Sequence, residues 1–183
     1  CSLCCNLVGS RNVAIGHDSQ ANSTASDNNS LGLYALLCNT TGEYNIAVGN
    51  NALRCNTTGI RNVAIGYNAL CSNTGAGRQN VAVGWSSLCS NTVGYSNVAV
   101  GQSALLCNTS AIYNTAMGSG ALERNTVSAN SAFGFFSARF NTTGTGIAAL
   151  GACALYNNST GCYNTAVGFN AGCDITTGSN NTV

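Results

Sequence analysis

The chain has 183 residues, of which 45% are hydrophobic and only 6% are charged, with a formal net charge of +1. An ordinary globular domain is about one-quarter charged. The six basic residues are all Arg and lie scattered along the chain, which excludes the basic surface that a nucleic acid partner requires. No apolar run approaches the roughly 20 residues of a transmembrane helix, so we expect no membrane span.

A unit of about 17 residues recurs along the whole chain. A glycine preceded by a short apolar triplet returns every 16 to 18 residues, at Gly16, Gly32, Gly49, Gly66, Gly84, Gly101, Gly118, Gly134, Gly151 and Gly168. The consensus reads N-V-A-I/V-G-x-x-A-L-x-C-N-T-T-G-x-x, and its cleanest copy is residues 45–61. Positions in the unit are numbered from 1, the Asn, to 17. The sequence therefore predicts one repeat array over residues 1–183, without a linker.

The unit predicts an all-β fold, a parallel β-solenoid of about ten 17-residue coils. Helical repeats are excluded because they need about 33 residues or more. β-Branched triplets, regular glycines and Asn-Thr-Thr-Gly turns are typical of short strands joined at tight corners. We expect strands at positions 1–4, 7–10 and 12–14, with equivalent residues of adjacent coils stacked about 4.8 Å apart.

The first strand carries large residues at positions 2 and 4 with alanine between them, as in Val63, Ala64 and Ile65. Adjacent side chains of a strand point to opposite faces. We expect the large residues to fill the coil and the alanine face to pack against a second chain. The alternative is an alanine face in contact with water.

Asn at position 1 and Gly at position 5 are predicted to form structural ladders along the solenoid. The asparagines would stack their amides and satisfy backbone groups at the corner, and glycine would supply the positive φ that the corner needs. The residues that represent these ladders are Asn45, Asn62, Asn80, Asn97, Gly49, Gly66, Gly84 and Gly101. A row of Thr or Ser at position 13 leaves ice binding open as an alternative, although position 14 offers no second regular row.

Eleven cysteines in a short chain favour an oxidising, extracytoplasmic setting. Cys38 and Cys55 both occupy position 11 of adjacent coils, and Cys71 and Cys89 both occupy position 10. A coil spacing of about 4.8 Å lies within the roughly 4.4–6.8 Å Cα separation of a disulfide, so these are the candidate intrachain pairs. The alternative is that the stacked thiols are small buried apolar groups.

The array is predicted to start and end in mid-coil, without caps. If a second copy continued the solenoid, its Cys4 would lie over Cys173, because both occupy position 10. This register predicts a head-to-tail filament with an inter-subunit disulfide between Cys4 and Cys173.

No catalytic, cofactor-binding or metal-binding residues are predicted. The single histidine, His17, has no nucleophile partner, and the five acidic residues show no paired spacing for acid–base chemistry. The cysteines at 1, 4 and 5 lack a second pair at zinc-site spacing. We therefore expect a protein that is not an enzyme and that needs no cofactor.

The repeat N-x-A-[IV]-G-x-x-A-L-x-x-N-T-T-G, seen at residues 62–66 and 39–42, resembles the repeats of phage, bacterial and giant-virus tail-fibre-like proteins. Its Asn-Val-Ala-Ile-Gly core is also similar to the head repeats of trimeric autotransporter adhesins. The resemblance implies a trimeric, extracellular and fibrous protein. The high cysteine content departs from these families.

The sequence as a whole predicts a structural subunit of an extracellular fibre or filament, at a cell or virion surface, that self-associates as a trimer or a head-to-tail filament. The alternative is an adhesin or receptor-binding fibre segment that recognises host-surface glycans. Aromatic residues just after the position 5 glycine would serve that role if exposed, or a corner or subunit seam if packed: Tyr67, Trp85, Phe135 and Phe169. An ice-binding solenoid is the weakest of the three.

Overall fold

The structure, a computed structural model, describes all 183 residues. Ten strands of three residues, one per coil, form a single parallel sheet in sequence order. They are β1 (Val13–Ile15), β2 (Asn29–Leu31), β3 (Ile46–Val48), β4 (Val63–Ile65), β5 (Val81–Val83), β6 (Val98–Val100), β7 (Thr115–Met117), β8 (Ser131–Phe133), β9 (Ala148–Leu150) and β10 (Thr165–Val167). The predicted all-β parallel solenoid is confirmed, and each coil is numbered below by its strand.

Adjacent strands pair in the register that the repeat predicts. Strand β4 lies beside β5 with Val63 opposite Val81, Ala64 opposite Ala82 and Ile65 opposite Val83. The same positional match holds in all nine strand pairs. Residues one repeat apart are therefore direct neighbours along the rod. None of the chain forms a long apolar helix of the kind that crosses a bilayer.

The prediction of second and third strands at positions 7–10 and 12–14 is wrong, because these segments are successive tight turns. In coil 3 the backbone amide of Ala52 donates to the carbonyl of Gly49 (3.3 Å), and the backbone amide of Asn56 donates to the carbonyl of Leu53 (3.0 Å). Between them, Asn51 and Leu53 adopt φ of +60° and +50°. Positive φ is rare for leucine, so this part of the path could not be predicted from residue preferences.

The interior is filled by alanine at positions 3 and 8 and by leucine at position 9. The fully buried leucines are Leu36, Leu53, Leu70, Leu88, Leu105, Leu122 and Leu155. Because the leucine column occupies most of the narrow coil, only a methyl group fits beneath the strand. The expected orientation of the strand is therefore wrong: Ala64 faces inward at 0% exposure and Ile65 faces outward at 40%.

Asparagines at positions 1 and 12 form two internal columns of hydrogen bonds. At position 1, Asn62 Oδ1 accepts from the backbone amide of Asn80 (3.1 Å) and from its Nδ2 (3.2 Å), while Asn62 Nδ2 donates to the carbonyl of Gly77 (2.9 Å). At position 12, Asn73 Nδ2 donates to Asn56 Oδ1 (2.6 Å). Side-chain amides thus supply buried hydrogen-bond partners where the backbone turns away from the sheet.

The position 1 ladder residues Asn45, Asn62, Asn80 and Asn97 all lie in the first of these columns and are fully buried. The position 5 glycines Gly49, Gly66, Gly84 and Gly101 lie in a column of their own at φ between +125° and +133°. A Cβ on Gly66 would meet the Gly84 carbonyl oxygen at 2.5 Å. Both conformation and space therefore require glycine at this corner.

Replacing one internal asparagine is expected to destabilise the rod. Asn158 is buried and donates to Asn141 Oδ1 (2.9 Å) and to the Gly161 carbonyl (3.0 Å). We expect Asn158→Ala to lower the free energy of unfolding by about 2 to 4 kcal/mol, since it leaves buried polar groups unpaired. Urea unfolding measures this. The adjacent Asn157, which is exposed, is the matched control, and an equal loss in Asn157→Ala would contradict the internal role.

Substitution of a position 5 glycine should lower the free energy of unfolding by a similar amount, for a different reason. Gly66→Ala forces a non-glycine residue to φ of +133° and drives its Cβ onto backbone. We expect a loss of about 2 to 4 kcal/mol in the free energy of unfolding. Gly75 has no positive φ, and the one close contact of an added Cβ there is with Cγ1 of the exposed Val93 side chain (2.9 Å). Gly75→Ala should change stability by less than about 1 kcal/mol, and equal effects in thermal melts would refute the argument.

Candidate functional site

The outward side of the sheet is an apolar face, defined here as the side chains at positions 2 and 4 of strands β1 to β10. Position 4 is apolar in every coil: Ile15, Leu31, Val48, Ile65, Val83, Val100, Met117, Phe133, Leu150 and Val167. Several of these are well exposed, including Ile15 at 57% and Val167 at 61%. No charged residue occurs in any of the ten strands. Charged side chains, which commonly prevent exposed strands from associating with other chains, are thus absent from this face.

The apolar face runs the length of the sheet. Nine steps of about 4.8 Å make it about 45 Å long, and two side-chain columns make it about 10 to 15 Å wide. Its flat area is roughly 600 Å², of which the apolar part is smaller and lies within the range of the largest apolar patches on monomeric proteins. Four side chains at position 2 are polar: Asn29, Thr115, Ser131 and Thr165. Patches of this kind on monomeric proteins are often functional.

One depression interrupts the apolar face at strand β9. Position 2 of that strand is Ala148, where most coils carry Val or Thr. The missing side-chain volume leaves a hollow of about 350 Å³ between Phe133, Leu150 and Val167, with Thr165 and Ser131 at its edge. Its lining is almost entirely apolar, so it suits a bulky apolar side chain.

The four candidate cysteines lie on one edge of four consecutive coils. Cys38 and Cys55 are adjacent at position 11, since the Cys38 amide donates to the carbonyl of Arg54 (3.0 Å). Cys71 and Cys89 are adjacent at position 10 of the next two coils, since the Ser72 amide donates to the Cys89 carbonyl (3.1 Å). All four thiols are free and partly buried. The two disulfides stay predictions.

The Cys71 and Cys89 thiols interact directly. A hydrogen bond from the Cys71 side chain lowers the pKa of Cys89 to about 7, and the same interaction, together with burial, raises that of Cys71. The pair therefore shares one thiolate near neutral pH. Burial raises the pKa of the Cys38 and Cys55 thiols instead.

Cys4 and Cys173 lie at opposite ends of the array. Cys4 forms a disulfide with Cys1, whereas the thiol of Cys173 is free and partly exposed. A bond between Cys4 and Cys173 of another copy would require the Cys1–Cys4 bridge to open first. No group of three or more His, Cys, Asp or Glu side chains is arranged to hold a metal ion. His17 lies at the surface, with Nδ1 3.2 Å from Asp18 Oδ2.

A second depression lies outside the apolar face, on coils 6 to 8, and was not predicted. This notch, of about 310 Å³, is lined by Gln102, Ser103, Ser119, Gly120, Glu123, Phe135, Phe136 and Arg139. Its floor is Ser119 and Gly120, the small residues at positions 6 and 7 of coil 7. Its wall is Phe135 and Phe136, at the same positions of coil 8. Comparing positions 6 and 7 between neighbouring repeats would have revealed it.

The acidic residues are not all free surface charges. Glu123 Oε2 accepts from Arg139 Nε at 2.8 Å, and both side chains are largely buried. The pairing raises the pKa of Arg139. Its guanidinium carbon lies 4.2 Å from the centre of the Phe136 ring. The Glu123–Arg139 ion pair is thus joined to the aromatic cluster of coil 8.

The shared thiolate predicts unusual reactivity at Cys89 after reduction of the protein. Because its pKa is lowered to about 7, iodoacetamide should modify Cys89 at half its maximal rate near pH 7. Cys107 is more exposed, yet burial raises the pKa of its thiol, so it should react mainly at higher pH. We expect Cys71→Ala to slow the modification of Cys89 by iodoacetamide about tenfold at pH 7. Peptide mass spectrometry measures both rates, and equal rates for Cys89 and Cys107 at pH 7 would contradict the pairing.

The chain matches no protein-family model, and neither a curated protein nor a solved structure is detectably similar to it. The likeness of its repeat to tail-fibre-like and trimeric autotransporter repeats stays a prediction. Function must therefore be argued from the residues and geometry of this chain.

Proposed function

We propose that the protein is a structural subunit of an extracellular fibre or filament, a stiff rod that assembles with other copies through its apolar face. The observation that carries this proposal is the uninterrupted apolar column at position 4, which faces outward in all ten coils. An apolar sheet face of this kind is ordinarily covered by another layer. Covering it would remove apolar surface from water, which is favourable.

A second copy fits this face better than an unrelated partner. The partner must present apolar side chains over about 45 Å at a spacing of about 4.8 Å, and another copy has that length and spacing. The flat area of roughly 600 Å² per copy approaches the about 800 Å² per partner of a standard interface. The hollow at Ala148 would take a bulky residue of the second copy, such as Met117, which is 42% exposed.

The rest of the rod suits a mechanical role. The backbone hydrogen bonds of the sheet and the internal asparagine columns both run from coil to coil, so bending the rod would strain many bonds at once. Eleven cysteines support an extracellular location, at a cell or virion surface.

Ice binding is less well supported than self-association. The hydroxyls at position 13 donate to backbone carbonyls of the next coil, as in Thr40 to Thr57 (3.0 Å) and Thr92 to Thr109 (3.0 Å). A hydroxyl that donates to the protein cannot donate to an ice lattice. The single row is therefore a structural feature of the stack.

Charges placed on the apolar face should separate the copies. We expect the wild-type protein to sediment as a dimer or larger assembly, and the double variant Ile65→Lys and Met117→Lys to sediment as a monomer. Burying two unpaired ammonium groups should raise the dissociation constant at least about a hundredfold. Analytical ultracentrifugation measures this, and electron microscopy shows whether filaments are lost.

The matched control is Thr58→Lys and Thr109→Lys, which adds the same charge at exposed positions on another side of the rod. The control should assemble like the wild type. Circular dichroism should be unchanged in both variants because all four side chains point to solvent. A monomeric wild type at every concentration, or a control that dissociates equally, would refute the proposal.

A further inference from the structure

The notch on coils 6 to 8 is a formed site with its own chemistry. It lies at positions 6, 7 and 10, and therefore stays open when the apolar face at positions 2 and 4 is covered. Its volume of about 310 Å³ is at the lower end of the range for small-ligand sites. Whatever it binds is bound independently of the proposed self-association.

The aromatic wall of the notch is held in place from two sides. The Phe136 ring lies directly on Gly120, so closely that a Cβ there would be 2.3 Å from the ring. On another side of the ring lies the Arg139 guanidinium, which the Glu123 carboxylate holds in place. Phe135, with its ring centre 3.8 Å from that of Phe136, keeps 51% of its surface exposed. The wall therefore offers a ligand an apolar plane, the exposed ring of Phe135, which packs at a tilt of 34° against the held ring of Phe136.

The polar groups around this plane are free to bind a ligand. Glu123 uses Oε2 for Arg139 and leaves its second carboxylate oxygen without a protein partner. The side chains of Gln102, Ser103 and Ser119 line the notch and make no hydrogen bonds within the protein. These groups include both donors and acceptors. The charges of Glu123 and Arg139 cancel, so the site as a whole is neutral.

We infer that the notch binds a neutral pyranose unit of a glycan. A pyranose presents one face of C–H groups, which packs on an aromatic plane, and a rim of hydroxyls, which both donate and accept hydrogen bonds. A purely apolar ligand would leave the Glu123 oxygen and the Gln102 amide unpaired. An anionic sugar would face the Glu123 carboxylate. The open notch also lets the glycan chain continue on either side of the bound ring.

Saturation-transfer NMR tests this inference with methyl glycosides of glucose, galactose, mannose and N-acetylglucosamine, each at about 10 mM, a concentration suited to dissociation constants near 1 mM. We expect transfer from the protein to the ring C–H protons of at least one glycoside. Phe135→Ala removes the exposed half of the wall and should weaken binding at least tenfold. Ser119→Leu fills the floor and should abolish it.

Two features make these variants informative. Position 6 already carries Leu33 in coil 2, so Ser119→Leu should fold, and circular dichroism checks this. Phe169 occupies position 6 of coil 10 and is 77% exposed, but it is not part of the notch. Phe169→Ala is therefore the matched control and should bind like the wild type.

Three outcomes would overturn the inference. The first is the absence of transfer to all four glycosides. The second is a loss of glycoside binding in Phe169→Ala equal to that in Phe135→Ala, which would mean that any exposed aromatic residue gives the signal. The third is transfer only to a charged sugar, with the methyl glycoside of glucuronic acid as the probe. The Ser119→Leu variant should still assemble, as measured by sedimentation, while it no longer binds glycosides. Assembly and glycoside binding can then fail separately, so a failure of this inference is distinguishable from a failure of the proposed fibre function.

Discussion

The structure depends on one constraint, which is that residues one repeat apart lie in register on adjacent coils, and backbone hydrogen bonds join those coils. Every strand contributes only three residues, so no strand is stable by itself. The sheet forms because ten such segments align, and the asparagine columns and the leucine column align with them. Any residue that disturbs the spacing, such as one with a side chain at Gly66, disturbs the next coil as well as its own.

Repetition explains why much of the fold could be predicted. A glycine at every position 5 and an asparagine at nearly every position 1 fix the period, and the period fixes the register that pairs Val63 with Val81. The path within one coil could not be predicted in the same way. Leu53 adopts φ of +50° because its side chain gains more by filling the interior than the backbone loses by strain, and residue preferences do not contain that balance.

The orientation of the strand shows the same limit and changes the view of the site. Large residues at positions 2 and 4 were expected inside, since apolar side chains are generally buried. The interior is already occupied by leucine from position 9, and only Ala64 fits beneath its strand. The apolar face therefore belongs to the surface. Neither the hollow at Ala148 nor the notch at Ser119 follows from the consensus. The hollow arises where one repeat departs from it, and the notch lies at positions 6 and 7, which the consensus leaves open.

The internal asparagine columns also give the rod a direction. Asn56 donates to Asn39, Asn73 to Asn56, Asn91 to Asn73 and Asn108 to Asn91, each time from Nδ2 to Oδ1 of the preceding coil. The amide dipoles consequently add along the axis and polarise one another. Two rods lying side by side with their dipoles opposed attract, whereas two rods lying in the same direction repel. In a side-by-side assembly of the kind proposed above, the dipoles of this asparagine column would therefore favour antiparallel neighbours.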